Sequence, residues 1–535
     1  AFGRADTNIT RGIDSVSTSG QSVAAPAKAA LATPPRDWDD AYDRAVQDVL
    51  MSYAPNVQGV DRRKLAGDVV AKTKAYAEKA GLGSYASLSQ HVKRPHPSQI
   101  ATLILATEDV RVIELVPESS SSDGVQWVGV YQHSGPDEGI YATNKAQLKR
   151  IVRAFTKQEN TAYTNEVIEI LKVEAPAVAL TRDADLIPVA NGVFHHARQE
   201  LLPFSPEWVF VNKSPVRFVP DAPLPVLVND EDGTEWDPET GIAALSTDPE
   251  IVELLWEIIS MVMRPHHQWE TFPMLCARGG KNGKSLVIKI MRALVGDRAY
   301  AKADLVDMSR RFLSPELLAA NAVLADENPV NKKIDDVGNF KAIVMGEPVS
   351  FEQKGVDRFT VQLGVAMVMA FNEFPKVDDR SGSWYRRLIM VPFDVSFLGV
   401  VPERDYIKKD YAVRPEVLEY ILCRALTMRH TSLRRPAATA EVLNEYRSFN
   451  DAVRAFWGEF GPRFAWDGLP WDFLHDLFKA WHLRTFPGQA NVPSLSEFKN
   501  GTVDALESSL DWDVPNKAGA QFRAAAKMNG PESLI

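Results

Sequence analysis

The run Phe272-Pro-Met-Leu-Cys276 passes directly into Ala277-Arg278-Gly279-Gly280-Lys281-Asn282-Gly283-Lys284-Ser285, and this junction constrains the chain more than any other segment. Five apolar residues in succession fit a strand covered on both faces, the condition of a strand inside a parallel sheet. A glycine-rich turn after such a strand lets backbone N–H groups close around phosphate oxygens. The helix that begins behind the turn adds partial positive charge at its N-terminus. A lysine at this spacing reaches the β- and γ-phosphates, and the following hydroxyl can bind Mg²⁺. Gly279, Gly280, Lys281, Asn282, Gly283, Lys284 and Ser285 are therefore the expected cradle of a nucleoside triphosphate such as ATP. The strict motif carries glycine six residues before the lysine, where this chain has Arg278. Gly279 and Gly280 must then shape the turn. The plainer alternative is a glycine turn ahead of an ordinary helix.

Hydrolysis needs further groups. Ala322-Val-Leu-Ala325 is a short apolar strand ending in Asp326-Glu327, with Asp326 42 residues after Lys284. Two carboxylates at a strand's carboxyl end suit one metal ligand, assigned to Asp326, and one group that polarises the attacking water, assigned to Glu327. A third apolar strand, Val365–Phe371, ends in Asn372. That amide can report on the γ-phosphate, or it can simply close the strand by an Asx turn. Trp384-Tyr385-Arg386-Arg387 precedes a fourth strand, Leu388–Phe393. An arginine there can stabilise charge on a phosphoryl group bound by a neighbouring subunit, or sit at a core edge.

With 535 residues, the chain is long enough for three or four domains with cores of their own. A net charge of -10 excludes coating of nucleic acid through overall charge, so such binding must use a local basic surface. Two cysteines, Cys276 and Cys423, give neither a disulfide framework nor a metal spacing and fit a reducing cytoplasm. No apolar run approaches the ~20 residues of a membrane span, and no signal-peptide layout opens the chain. His195-His196 and His266-His267 lack partners at ligand spacing and read as ordinary histidines.

Patterning divides the chain as follows: residues 1–35 a disordered tail or linker, 36–185 an N-terminal α/β region, 186–247 a segment ahead of the phosphate-loop region, 248–400 the α/β region that holds the phosphate loop, 401–433 a helical segment, and 434–535 a C-terminal domain entered through the linker-like Arg434-Arg435-Pro436. Helices are expected at 62–79, 145–156, 165–173 and 248–263, with β-like signal from 100 to 141 carried by LILA, VRVIELV and VQWVGVY. Asn191-Gly192 marks a tight turn. Near the C-terminus, 471–484 and 494–510 have helix–turn–helix spacing. The second of them carries Glu497, Asp504 and Glu507 against Lys499, which favours protein contact over phosphate contact. Trp457, Trp466, Trp471, Trp481 and Trp512 read as core.

The ordered stretches GGKNGKS, AVLADE, MVMAFNEFP and WYRRLIMVPFDVSF resemble superfamily-3 helicases, in particular the phage and plasmid primase–helicases related to the poxvirus replicative enzyme. Upstream LIPVANGVF and LPFSP, and downstream residues 471–507, extend the resemblance to about 186–507. It implies a multidomain α/β fold: an AAA+-like P-loop motor, an N-terminal collar that helps assemble a ring, and a C-terminal helical or winged-helix domain. It also implies a hexameric homo-oligomer that uses ATP and Mg²⁺ at subunit interfaces to move on single-stranded or forked DNA. A mobile-element role in a bacterial cytoplasm is implied, with a primase, polymerase or origin-binding partner and no membrane. Within one subunit Lys284, Ser285, Asp326, Glu327 and Asn372 would act. Arg386 or Arg387 would act across the interface, with Arg387 preferred. The family's channel hairpin matches residues 350–359, where Lys354 is the leading DNA contact, followed by Phe351 and Arg358. The region before Leu186 lacks a paired-carboxylate and histidine set, so no primer synthesis is expected. A nucleotide-gated assembly protein with little unwinding is the other functional class that these residues allow.

Overall fold

The computed structural model describes residues 34–83, 92–115, 125–157, 160–277, 279–326, 328, 334–353, 356–397, 404–465, 468–485, 492–506, 512–513 and 524–527. The expected tail, Arg278, Glu327, Lys354 and Trp466 lie outside these residues. The chain forms two compact units, one of residues up to 108 plus 146–173, the other of 109–145 plus the remainder from 174. The division thus falls inside the region 36–185.

The smaller unit is helical. Helices Trp38–Tyr53 and Arg62–Lys79 begin on the aspartates Asp37 and Asp61, whose carboxylates accept from Asp40 N–H and Lys64 N–H. The LILA segment, expected to be β, lies instead in helix Pro97–Thr107. Pro97 occupies the first turn, and the His96 and Gln99 side chains bond reciprocally to the backbone there. Helices Lys145–Phe155 and Thr161–Glu174 complete the unit, the latter beginning four residues earlier than its pattern suggested.

The larger unit opens with strands β1 (Val110–Glu114), β2 (Gln126–Tyr131), β3 (Tyr141–Ala142) and β4 (Ala177–Ala179), ordered β3-β2-β1-β4. β5 (Leu186–Val189) and β6 (Gly192–His195) meet across the two-residue turn Ala190-Asn191, and β7 (Glu200–Leu202) extends that sheet. β8 (Leu227–Val228) pairs β9 (Glu235–Trp236). Helix Pro249–Val262, capped by Asp248, leads to the central sheet.

That sheet contains β10 (Phe272–Cys276), β11 (Tyr300–Ala301), β12 (Ala322–Ala325), β15 (Ala366–Phe371) and β16 (Leu388–Pro392). A two-stranded antiparallel hairpin, β13 (Pro348–Gln353) and β14 (Val356–Gln362), is inserted between β12 and β15. The order is β11-β12-β15-β10-β16 and every pairing is parallel. Alternate side chains of each strand enter opposite cores. Leu275, Leu324, Val368 and Val391 pack with helices Pro249–Val262, Lys284–Val295 and Pro415–Thr427. Phe272, Met274, Val323, Met369 and Met390 pack with Phe340, Phe351 and Trp384. Burial on both faces explains why these strands read as unbroken apolar runs.

Residues 434–436 do not form a free linker. Arg434 pairs with the buried Glu257 at 2.8 Å, and Arg435 donates to the carbonyls of Leu388 and Arg386. Helix Ala437–Asn450 is thereby fixed beside β16, with Tyr446 buried against Phe374 and Tyr385. Beyond it, helices Ala452–Phe460, Trp471–Thr485 and Leu495–Leu506 join β17 (Gly468–Pro470), β18 (Trp512–Asp513) and β19 (Ala524–Lys527), ordered β17-β19-β18. Trp457, Trp471, Trp481 and Trp512 are core residues of this domain. Among the described residues no helix is long and apolar enough to cross a membrane.

Candidate nucleotide site

The carboxyl ends of β10, β15 and β16 open into one cleft of about 730 Å³, the place where an open α/β sheet accommodates ligands. Its floor carries Cys276, Ala277 and Gly279, then Asn372 from the end of β15 and Asp394 beyond β16. Helix Ala437–Asn450 supplies the opposite wall through Ala438, Glu441 and Val442.

The loop between β10 and helix Lys284–Val295 is built for close backbone approach. Gly279, Lys281 and Gly283 have φ values of 99°, 60° and 85°, in the left-handed region. A Cβ on Gly283 would also run into the Leu245 side chain. Gly280 meets nothing and needs no such conformation. Lys281 carbonyl accepts from Phe397 N–H at 2.9 Å, tying the loop to the segment that follows β16.

Lys284, the first helical residue, is only 5 % exposed, and its Nζ donates to Asn282 Oδ1 at 2.8 Å. The Asn282 amide donates in turn to Gly279 carbonyl at 3.2 Å. Asn282 thus holds the ammonium and the loop together, a role that the motif alone did not reveal. Burial lowers the Lys284 pKa from the ordinary lysine range, while the charge of nearby Asp326 opposes the shift. Burial pushes the neighbouring Cys276 thiol up to about 12, so it stays protonated and inert at neutral pH.

Asp326 follows β12, one strand away from β10 across β15. Its Oδ1 is buried without a hydrogen-bond partner. An orphaned carboxylate oxygen whose charge acts on a buried ammonium, with the half-exposed Ser285 in the first turn of the same helix as Lys284, fits a divalent cation carried by a triphosphate. Asn328, which spacing did not single out, locks this corner. Its amide donates to Ala370 carbonyl at 2.9 Å and its oxygen accepts from Leu305 N–H at 3.1 Å. Asn372 is exposed at the cleft floor, where a bound phosphate could meet it.

The arginine pair separates clearly. Arg387 is 9 % exposed and its guanidinium donates to Ser383 carbonyl of its own chain. Arg386 is exposed. Of the two, Arg386 is the one whose side chain faces outward, while Arg387, the preferred residue, bonds within its own chain.

The hairpin β13/β14 forms in the expected segment, with a bulge between Phe351 and Gln353. Phe351 is 0 % exposed and stacks on Phe359 at 5.7 Å, so it is a core residue rather than a nucleic-acid contact. Arg358 is exposed and lies 4.7 Å from the Phe312 ring centroid, with Arg311 over the same ring at 5.3 Å. This cation–aromatic group at the hairpin was not anticipated from spacing, since 46 residues separate Phe312 and Arg358.

Two family models match parts of the chain. A family model described as "D5 N terminal like" matches residues 70–237, and one described as "Family of unknown function (DUF5906)" matches 277–387. The second match runs from the phosphate loop to the arginine pair. No curated protein is similar enough in sequence to match. Among solved structures, "The A form apo structure of NrS-1 C terminal region-CTR" aligns at 9 % identity with a TM-score of 0.45, covering 80 % of this chain and 98 % of that one. "The apo structure of NrS-1 C terminal region (305-718)" aligns at 10 % identity with a TM-score of 0.46, covering 81 % and 99 %.

Proposed function

We propose that this chain is the motor of a ring-forming, ATP-driven DNA helicase or translocase of the superfamily-3 type, serving replication of a phage, plasmid or related element. The observation that carries the reading is the presence, at the carboxyl edge of a parallel sheet, of a buried Lys284 ammonium held by Asn282 and an orphaned Asp326 oxygen whose charge acts on it. A buried cation and a buried unpaired anion are costly unless a ligand completes them. The D5-like match upstream supports the replication context.

In this reading Lys284 takes the β- and γ-phosphates, exchanging Asn282 for phosphate oxygens, and the loop amides around Gly279–Gly283 surround them. Mg²⁺, when bound by Ser285 and Asp326, neutralises charge on the transferring phosphoryl group. Glu327 polarises the attacking water, Asn372 orders the γ-phosphate, and Arg386 reaches the site of an adjacent protomer. Lys354 and Arg358 on the hairpin meet the DNA backbone in the channel. The C-terminal helices with their three-stranded sheet serve as a winged-helix-like contact domain.

DNA-stimulated ATP turnover tests the assignment. Lys284→Ala is expected to lose nucleotide binding, whereas Glu327→Gln keeps binding and stalls turnover. Unchanged turnover in either variant refutes the site.

A further inference from the structure

We infer that helix Lys145–Phe155 of the smaller unit, together with the start of helix Arg62–Lys79, forms a second nucleic-acid surface that grips the sugar–phosphate backbone independently of the motor. From Lys145 to Lys157 the chain carries five cations and no acid, in a protein whose net charge is -10. The helix is sharply two-faced. Leu148, Val152 and Phe155 are buried, whereas Arg150, Arg153 and Lys157 are exposed and Lys149 is half-buried. At 100° per residue, Lys149, Arg150 and Arg153 share an arc of about 100°, Lys149 and Arg153 are about 6 Å apart along the axis, and Lys157 follows just past the helix end.

A second cationic element adjoins it. Arg62, Arg63 and Lys64 occupy the first turn of helix Arg62–Lys79 and are all exposed. The Arg62 guanidinium lies 6.0 Å from the Phe155 ring centroid, which brings this turn to the end of the basic helix. Arg62 also pairs with Glu108 and the Lys64 ammonium lies 5.6 Å from the Tyr53 ring centroid, so Arg63 adds the remaining charge of that turn. Cations in a first turn oppose the helix dipole and detract from folding stability. Asp61 caps helix Arg62–Lys79 and offsets part of this, whereas the first turn of Lys145–Phe155 holds no acidic residue.

The chemistry favours nucleic acid over a lipid surface. A membrane-binding helix needs an exposed apolar stripe beside its cations, and here the apolar stripe faces the core. A row of cations with nothing reading base edges suits phosphate contacts without sequence preference.

The test uses the full chain without nucleotide. A Lys149→Gln/Arg150→Gln/Arg153→Gln variant keeps helix propensity and removes three charges. A Lys74→Gln/Lys79→Gln/Lys408→Gln variant removes the same charge elsewhere. Binding to labelled oligo(dT), to a short duplex and to anionic phospholipid vesicles is titrated between about 50 and 200 mM salt. For oligo(dT), the basic-face variant is expected to lose affinity by about tenfold or more, with a salt slope shallower by up to about 2, while the control variant stays within about twofold. Basal ATP turnover should be unchanged. Equal affinities and slopes for the two variants overturn the inference, as does a defect confined to vesicles. Because Lys284→Ala leaves this surface intact, failure of the proposed motor function and failure of this inference give different results. Should the triple variant fold poorly, single Arg150→Gln is expected to show the same signs at smaller amplitude.

Discussion

At the scale of single residues, the proposed phosphate loop can be tested at Asn282. Its side chain is the resting partner of the Lys284 ammonium. Asn282→Ala leaves that buried charge without its acceptor, a loss of about 1–3 kcal/mol. The free protein should therefore melt several degrees lower, and saturating ATP with Mg²⁺ should recover most of the difference, since phosphate oxygens then replace the amide. A melting deficit that is identical with and without nucleotide removes Asn282 from this role. The glycines divide in the same manner. Gly283→Ala imposes a left-handed conformation and a clash with Leu245, and is expected to cost about 1–3 kcal/mol together with nucleotide affinity. Gly280→Ala meets open space at an ordinary backbone angle and should bind nucleotide as the unsubstituted chain does. Titration calorimetry on the pair distinguishes them, and equal losses would mean that both glycines serve the same purpose.

At the scale of elements, legibility followed burial. β10 and β12 lie in the middle of a parallel sheet, so their sequences are continuous apolar runs and their limits were readable. LILA is equally apolar but lies in a helix that buries Leu103 and Ile104 and leaves Leu105 and Ala106 half-buried, and a four-residue run has no period with which to tell the two apart. The deciding signals were His96, Pro97 and Gln99 just before it. Arg434-Arg435-Pro436 has the composition of a linker, yet Arg434 neutralises Glu257 from a distant helix, a long-range pairing that local composition does not encode. The candidate site divides along the same line: motif spacing singled out Lys284 and Asp326 as candidates, whereas the burial of Arg387 and the exposure of Arg386 depend on which side of a short helix faces the core. The segment after helix Pro249–Val262 has a pH signature of its own. Burial, then the charge of Arg182, lowers the pKa of His266 from its usual 6.5 to about 4. Below pH 6.5 the unfolded chain binds a proton that the folded chain refuses, so stability falls as pH drops from about 6.5 to about 4. His266→Gln should flatten the melting temperature against pH in that window. An unchanged slope would assign the acid sensitivity to other groups, such as His196 and His430, whose pKa values burial also lowers.

At the scale of the whole molecule, the proposed mechanism places the catalytic unit between copies of the chain. Lys284 and Asp326 belong to one protomer, while the exposed Arg386 is free to serve the next. Such a head-to-tail interface closes a ring, and every site then has two owners. Arg386→Ala should bind ATP normally and lose turnover by about 10³-fold or more, the scale of an arginine finger. Lys284→Ala is expected to be inactive for the opposite reason, since it retains the finger but cannot bind. Mixed in equal amounts before assembly, the two inactive proteins should regain activity, because an Arg386→Ala protomer followed by a Lys284→Ala protomer has an intact site and an intact finger. Random mixing makes that arrangement at one half times one half, roughly a quarter, of interfaces, which sets the ceiling on recovery if sites fire independently. Strict coupling around the ring would hold recovery below that ceiling. No recovery at all, with mixed assemblies verified by tagged subunits, would place Arg386 outside the neighbouring site and leave each protomer to hydrolyse ATP with its own residues.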